Sequence, residues 1–162
     1  SSIVQRAVFW LNKKIYSLPR PLSNKNNLNF SFSGLKTAVR KIAENPSSQF
    51  KKTEIANEFQ NAILDCLLEK CSKAIDIFRQ KYGLGYFVMS GGVASNSFLR
   101  EGLQNLTEQK KMHFFAPEPK LCVDNASMIA WAGIEKILSN NLTDDIEILP
   151  APRWSLVELG NE

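Results

Sequence analysis

The feature that most constrains the fold of this chain is a short apolar run that leads through a glycine-rich turn into a helical pattern. The run "YFVM" covers residues 86–89, and the turn "SGGVASN" covers residues 90–96. Apolar residues then recur at helical spacing, at Leu99, Leu103 and Leu106. A continuous apolar run is typical of a central strand that is covered on both faces. Strand, turn and helix in this order predict an α/β layered domain, whose ligands bind beyond the carboxyl ends of the strands.

The rest of the chain continues this alternation of helices and strands. Helices are predicted over residues 1–16, 34–44, 53–81 and 125–138, and short strands over residues 29–33 and 112–116. The 162 residues are interpreted as a single lobe with three parts: a helix and proline-containing linker (1–28), an α/β core (29–140) and an irregular tail (141–162).

For two of the predicted helices, the sequence also predicts how the helix begins or which side chains it buries. We expect Thr53 to cap the long helix, because a threonine side chain accepts hydrogen bonds from the first helical N–H groups. The apolar stripe of that helix comprises Ala56, Phe59, Ile63, Leu67, Cys71, Ala74 and Phe78. The helix over residues 125–138 is apolar on nearly every side, which predicts that it is buried between layers.

Composition places the chain among soluble globular proteins, with 44% hydrophobic and 22% charged residues. Its three cysteines, Cys66, Cys71 and Cys122, form no CxxC pair, and we expect buried reduced thiols, as in a cytoplasmic protein. The net charge of +4 permits a polyanionic partner without requiring one. No apolar run reaches the roughly 18 residues that span a bilayer. Because the sequence opens without methionine and inside a helical pattern, we expect a piece of a longer protein.

The glycine-rich turn has three possible roles: a tight turn, a cradle for phosphate or nucleotide, and a helix cap. Glycine has no Cβ, so Gly91 and Gly92 could bring backbone N–H groups close to a ligand and adopt positive φ. The start of the following helix favours anions. Asn96 offers a donor and an acceptor suited to a ribose hydroxyl or a carbonyl group. The alternative is a plain turn in which Ser95 caps the helix, and spacing alone leaves both open.

Asp124 precedes the last predicted helix, where a carboxylate either caps the helix or binds a divalent metal. His113 is the single histidine, and the chain has no HxxxH or HExxH pattern. The chain alone therefore cannot build an imidazole-rich metal site, and His113 is expected to be a structural or a surface residue. At the other predicted strand-to-helix bend, Ser33 and Lys36 are either a helix cap and a solvated lysine, or two polar groups that face a shared cleft.

Three stretches together resemble a known family. In order and spacing, "FSFSGLKTAVR", "SGGVASNSFLR" and "LCVDNASMIAWAG" resemble the C-terminal half of the tRNA N6-adenosine threonylcarbamoyltransferases, formerly catalogued as O-sialoglycoprotein endopeptidases. The segments "LPRPL" and "PRW" extend the resemblance over nearly the whole chain. It implies the C-terminal lobe of the two-lobed fold of actin, sugar kinases and the Hsp70 ATPase, in a fragment that lacks most of the N-terminal lobe.

The resemblance also implies a reaction and roles for individual residues. Members of the family transfer a threonylcarbamoyl group from threonylcarbamoyl-AMP to N6 of adenosine 37, in tRNAs that read codons beginning with A. It implies that Asp124 is a ligand of one divalent metal, Fe²⁺ or Zn²⁺, that Asn96 contacts the adenylate, and that Gly91 and Gly92 line the nucleotide pocket. It implies tRNA as a partner and accessory proteins of the TsaB and TsaE type, and it assigns no role to Ser33 or Lys36.

The sequence departs from the family pattern at several points, and other functions stay open. The metal-binding histidines and the first phosphate loop of the family belong to the absent lobe, so we expect the isolated fragment to be inactive. The opening "SS" stands where the family is glycine-rich, and Ser155 stands where proline commonly follows "PRW". The alternatives are a nucleotide-binding module without transferase activity, a metalloprotease as in the old family name, and an RNA-binding piece. The cytoplasm is the expected compartment, with the mitochondrial matrix as the alternative.

Overall fold

The computed structural model of the chain describes residues 17–23, 27–45, 51–140 and 149. The chain divides into two compact units, residues 1–123 and residues 124–162. The helix predicted over residues 1–16 lies outside the described residues, as does the predicted tail apart from Leu149. The three-part division of the sequence stays a prediction.

The first unit alternates helices and strands, as the sequence predicts. Its elements are α1 (Ser33–Ala43), α2 (Lys52–Tyr82), β1 (Tyr86–Val88), a 3₁₀ turn (Gly92–Ser95), α3 (Ser97–Gln109), β2 (His113–Phe115) and a second 3₁₀ turn (Pro119–Leu121). The second unit contains α4 (Ala126–Asn140). β1 and β2 are parallel, with Phe87 opposite Phe114. Because parallel strands need a crossover, α3 connects them as a β–α–β unit, which confirms the α/β class.

The long helix α2 is covered on two sides. On one side Ala62 packs in a core with Leu18 and Leu35. On the other side Leu64 lies against Gly102 of α3, where a Cβ built on the glycine would be 2.5 Å from Leu64 Cδ1. The predicted stripe of α2 is confirmed in part: Phe59 and Ile63 are half-buried and pack against this core, whereas Ala56 and Phe78 at its two ends are exposed. The buried positions are Ile55, Ala62, Leu64, Cys66, Lys70 and Ile75.

The segment "LPRPL" is tied to α2 by one arginine. The guanidinium of Arg20 donates to Glu58 Oε1 at 2.6 Å and to Asp65 Oδ2 at 2.8 Å. The N–H of Leu18 donates to the same Glu58 oxygen at 3.2 Å. These bonds fix the irregular segment on the helix and place Leu18 in the core.

Two predicted helix caps are wrong. Helix α2 begins at Lys52, and the N–H of Lys51 donates to Glu54 Oε2 at 3.1 Å, so Thr53 lies inside the first turn. Helix α1 begins at Ser33 itself, without a side-chain cap. The carbonyl of Ser33 instead accepts a hydrogen bond from the Thr37 hydroxyl at 3.1 Å. Helix α2 thus starts two residues earlier than a Thr53 cap requires, and α1 starts one residue earlier than a Ser33 cap requires.

The strand predicted over residues 29–33 is also wrong, because this segment is irregular. Phe30 and Phe32 remain 47% and 37% exposed, and their rings stack with centroids 6.1 Å apart. An alternating pattern forms a strand only where a neighbouring strand pairs with it. Within the described residues, the sheet contains β1 and β2 alone.

The central strand β1 and the last helix α4 are less buried than the sequence predicts. One face of the sheet is exposed at Tyr86, Val88 and Phe115, whereas Phe87 is half-buried and stacks on Phe114. Along α4, apolar side chains are exposed at Met128, Ile129, Trp131, Ile134, Ile137 and Leu138. An apolar pattern makes burial favourable, but burial also requires other segments to cover the apolar side chains. The predictions that β1 and α4 are fully buried are therefore both wrong. None of the described helices is long and apolar enough to cross a bilayer.

Candidate functional site

The glycine-rich turn begins at the carboxyl end of β1. The N–H of Met89 still donates to Phe115 O at 3.0 Å, and the chain leaves the sheet there. Gly91 then adopts φ 80° and ψ 174°, a conformation that is essentially restricted to glycine. This confirms the expected positive φ in the turn. The sharp bend directs the chain into the 3₁₀ turn before α3.

The open side of this turn presents backbone donors. Inside the turn, the N–H of Ala94 donates to Gly91 O at 2.8 Å, and the N–H of Asn96 donates to Val93 O at 3.1 Å. Among the described residues, no acceptor is paired with the N–H groups of Gly91, Gly92 and Val93. A Cβ built on either glycine would meet nothing within 4 Å. Consecutive free N–H groups on an open surface form a site that an anion can approach.

Asn96 ends the turn and caps α3. Its Oδ1 accepts a hydrogen bond from the N–H of Leu99 at 3.1 Å. The hydroxyl of Ser95 donates to Gly92 O at 2.7 Å, so Ser95 braces the 3₁₀ turn and the predicted alternative in which Ser95 caps the helix is wrong. Within the part of the chain that the structure describes, no hydrogen bond engages Nδ2 of Asn96. One amide can therefore hold the helix with its oxygen and a ligand with its nitrogen.

Asp124 does not cap the last helix. The cap of α4 is Asn125, whose Oδ1 accepts from the N–H of Met128 at 2.9 Å. The Asp124 side chain is exposed, and no described residue forms a hydrogen bond or an ion pair with it. The described residues contain no cluster of three or more histidine, cysteine, aspartate or glutamate side chains. Asp124 is thus available as one oxygen ligand, and the described chain does not complete a metal shell around it.

The remaining polar candidates form no second site. Ser33 and Lys36 are exposed on α1, and no described acceptor is paired with the ammonium group of Lys36. His113 lies in β2 on the exposed face of the sheet, where its ring is 5.3 Å from that of Tyr86. His113 is thus a surface residue of the strand, which is one of the two expected roles.

A further residue at the turn, Arg100, is not among the candidates that the sequence pattern indicates. Its Nη2 donates to Ala94 O at 2.7 Å and to Pro117 O at 2.8 Å, and lies 3.4 Å from Cys122 Sγ. The sequence does indicate a contact between Arg100 and the turn, because position 100 is one helical turn beyond the cap at Asn96. A long side chain at that position reaches back over the carbonyls of the turn.

The cysteines are free, as the sequence predicts. Cys66 and Cys122 are buried, and Cys71 is half-buried. Burial raises the pKa of the Cys66 thiol, and it raises the pKa of Cys71 to about 11. These two thiols on α2 are therefore protonated and unreactive near neutral pH.

A parallel β–α–β unit with an open glycine turn at the carboxyl end of its first strand defines an α/β domain of the ligand-binding type. Comparison with known proteins narrows this class. Residues 4–131 match the TsaD family, described as tRNA N6-adenosine threonylcarbamoyltransferase. The chain belongs to this family, which carries the fold of actin and related ATPases.

Individual relatives agree with the family match. A tRNA N6-adenosine threonylcarbamoyltransferase of Bartonella bacilliformis is 42% identical over 165 residues, covering 96% of this chain and 45% of the relative. The Rhodospirillum rubrum protein of the same name is 42% identical, covering 94% of this chain and 43% of the relative. The Brucella suis protein of that name is 40% identical, with 96% and 44% covered. The chain spans less than half the length of these relatives.

Proposed function

We propose that this chain is the C-terminal lobe of an enzyme that transfers a threonylcarbamoyl group from threonylcarbamoyl-AMP to N6 of adenosine 37 in tRNA. Family membership supports the reaction. The structural observation that supports it most directly is the open turn at Gly91 and Gly92, which can accept a ligand. The proposed substrates are tRNAs that read codons beginning with A. TsaB- and TsaE-type proteins are the proposed accessory partners. The free thiols support a reducing compartment, for which we propose the cytoplasm or alternatively the mitochondrial matrix.

The turn binds the adenylate in this proposal. The N–H groups of Gly91, Gly92 and Val93 donate to oxygens of the AMP portion, because no described acceptor competes for them. The partial positive charge at the start of α3 adds to this attraction for phosphate. Nδ2 of Asn96 donates to an oxygen of the same ligand, and its Oδ1 stays on the helix. Orientation of the adenylate thus depends on the backbone donors of the turn and on the amide of Asn96.

Asp124 is the residue of this chain that would hold a metal. Its carboxylate fits the role of an oxygen ligand for Fe²⁺ or Zn²⁺, because it is exposed and its capping role is taken by Asn125. The other ligands would come from the half of the fold that this chain does not span. When bound, the metal would act as a Lewis acid on a substrate oxygen.

The protein contributes positioning to this reaction and needs no nucleophile of its own. The N6 amine of adenosine attacks the carbonyl carbon of the threonylcarbamoyl group, and a new C–N bond forms. The bond from that carbon to the phosphate oxygen of AMP breaks, and the amine loses a proton. Backbone donors at the turn stabilise the negative charge that accumulates on the departing AMP. Fixed orientation of the carbonyl toward the amine contributes a further rate advantage.

The proposal is tested with the full-length protein, unmodified tRNA and purified threonylcarbamoyl-AMP. Mass spectrometry of the digested tRNA should show the threonylcarbamoyl mass on adenosine 37. The isolated 162-residue chain, assayed in parallel, should give none. A full-length protein that hydrolyses ATP and leaves the tRNA unmodified would instead be a nucleotide-binding module. Steeply salt-dependent tRNA binding by the isolated chain, without affinity for an adenylate, would identify an RNA-binding piece.

A further inference from the structure

One side chain connects the glycine-rich turn to a second loop of the first unit. The guanidinium of Arg100 donates twice to Ala94 O, through Nε at 3.1 Å and through Nη2 at 2.7 Å. Ala94 is fully buried in the middle of the 3₁₀ turn. The carbonyl that Arg100 holds therefore belongs to the same short turn as the free N–H groups of Gly92 and Val93.

The second loop covers residues 117–122. Nη2 of Arg100 also donates to Pro117 O at 2.8 Å and lies 3.4 Å from Cys122 Sγ. The Cys122 thiol is buried and lies 3.5 Å from Glu118 O. One guanidinium thus joins two loops that follow the carboxyl ends of β1 and β2. Its planar array of donors allows this, whereas a lysine could place only a single ammonium group there.

We propose that Arg100 is a positioning residue for the adenylate, and that its guanidinium fixes the glycine-rich turn against the 117–122 loop. This inference rests on the proposed function. The N–H groups at Gly91, Gly92 and Val93 bind an anion together only if the turn keeps one conformation. Without Arg100, Ala94 O loses both of its side-chain hydrogen bonds, Pro117 O keeps only the weak Cys122 thiol donor at 3.7 Å, and the turn samples other arrangements. Arg100 itself touches no part of the substrate.

The test uses full-length protein with Arg100→Gln, Arg100→Lys and two controls. Glu101→Gln changes an exposed neighbour on α3. Gly102→Ala disturbs the contact with Leu64 and lowers stability without touching the two loops. We expect Arg100→Gln to raise KM for threonylcarbamoyl-AMP about tenfold or more, with kcat changed less than about twofold. Arg100→Lys should recover part of the loss, and neither control should change KM, even where Gly102→Ala has the lower Tm.

A second readout does not depend on activity. Hydrogen exchange of the peptide over residues 90–96, measured without ligand, should become faster in Arg100→Gln and stay unchanged in Glu101→Gln. One outcome is that wild-type protein leaves tRNA unmodified while hydrogen exchange at residues 90–96 is still faster in Arg100→Gln. The proposed function and the adenylate role of Arg100 would then both be wrong, but the structural role of Arg100 between the two loops would be confirmed. If wild-type protein is active and Arg100→Gln keeps both KM and exchange at wild-type values, the inference about Arg100 is overturned. A KM increase that Gly102→Ala reproduces would also overturn it.

Discussion

Oδ1 of Asn96 accepts the N–H of Leu99 at 3.1 Å, so the amide proposed to bind the adenylate is also the cap of α3. Asn96→Asp keeps a capping oxygen and removes the Nδ2 donor. We expect its free energy of unfolding to stay within about 0.5 kcal/mol of wild type, because asparagine and aspartate cap equally well. Adenylate affinity should fall by at least about tenfold, because one hydrogen bond is lost and the new carboxylate repels the anionic ligand. Denaturant titration and adenylate binding measure the two effects.

Asn96→Ala is the matched variant for this prediction. It loses the cap and the donor together without adding a charge, so it should cost about 1 kcal/mol of stability and lower adenylate affinity about tenfold. An Asn96→Asp protein that binds adenylate as tightly as wild type would reduce Asn96 to a cap alone.

The two glycines of the turn should respond differently to alanine. Gly91→Ala places a side chain at φ 80°, where about 1–3 kcal/mol of strain is expected, and should lower the stability of the turn. Gly92→Ala is not strained, but its methyl group adds bulk to the open surface of the turn. We expect both variants to weaken adenylate binding and only Gly91→Ala to lower Tm. Gly133→Ala on α4, where a Cβ also meets nothing within 4 Å, is the control for the substitution itself. Unchanged adenylate affinity in Gly92→Ala would contradict ligand contact at the turn.

The contact between α2 and α3 predicts a destabilising substitution away from the site. In Gly102→Ala, the added methyl would lie 2.5 Å from Leu64 Cδ1, and Leu64 is only 3% exposed and has little room to move. Overpacking of this kind typically costs about 1–3 kcal/mol. Chemical denaturation should show the loss, and Leu64→Ala combined with Gly102→Ala should recover part of it relative to Leu64→Ala alone. A Gly102→Ala protein as stable as wild type would show that the helices separate freely.

The half-buried thiol of Cys71 predicts a stability change in alkaline solution. Burial raises its folded-state pKa from 9.0 to about 11, so the unfolded chain releases the proton first as pH rises. The contribution is fully present below pH 9 and is lost as pH rises toward 11. The difference in unfolding free energy between wild type and Cys71→Ala should therefore decrease across this range. A difference that is constant with pH would mean that the thiol is solvated in the folded protein.

The sequence predicted the parts of the fold that depend on local chemistry. A positive φ at Gly91, a helix after Asn96 and strands around Phe87 and Phe114 follow from residue type and spacing within a few positions. The choice between Asp124 and Asn125 as the cap of α4 depends on one residue of register, which the sequence pattern does not fix. Either side chain can serve as an N-cap, and the backbone places Asn125 in that role through its bond from the N–H of Met128.

Predictions that depend on distant partners failed. The pattern around Phe30 and Phe32 suits a strand, but no neighbouring strand is present in the described chain to pair with it. Helix α4 is apolar throughout, but Trp131 remains 64% exposed. The bonds from Arg100 to Pro117 and Cys122 link positions 17 and 22 residues apart, and spacing along the chain does not reveal such contacts.

The most direct test of the account compares full-length wild-type protein with Asp124→Ala in the tRNA assay with supplied threonylcarbamoyl-AMP. Because Asp124 is exposed and caps no helix, its removal should leave Tm within a few degrees of wild type. We predict the threonylcarbamoyl mass on adenosine 37 with wild-type protein and its loss by at least about a hundredfold in the variant, as expected for a metal ligand. Equal modification by both proteins would contradict the metal role of Asp124, and no modification by wild-type protein would contradict the proposed reaction itself.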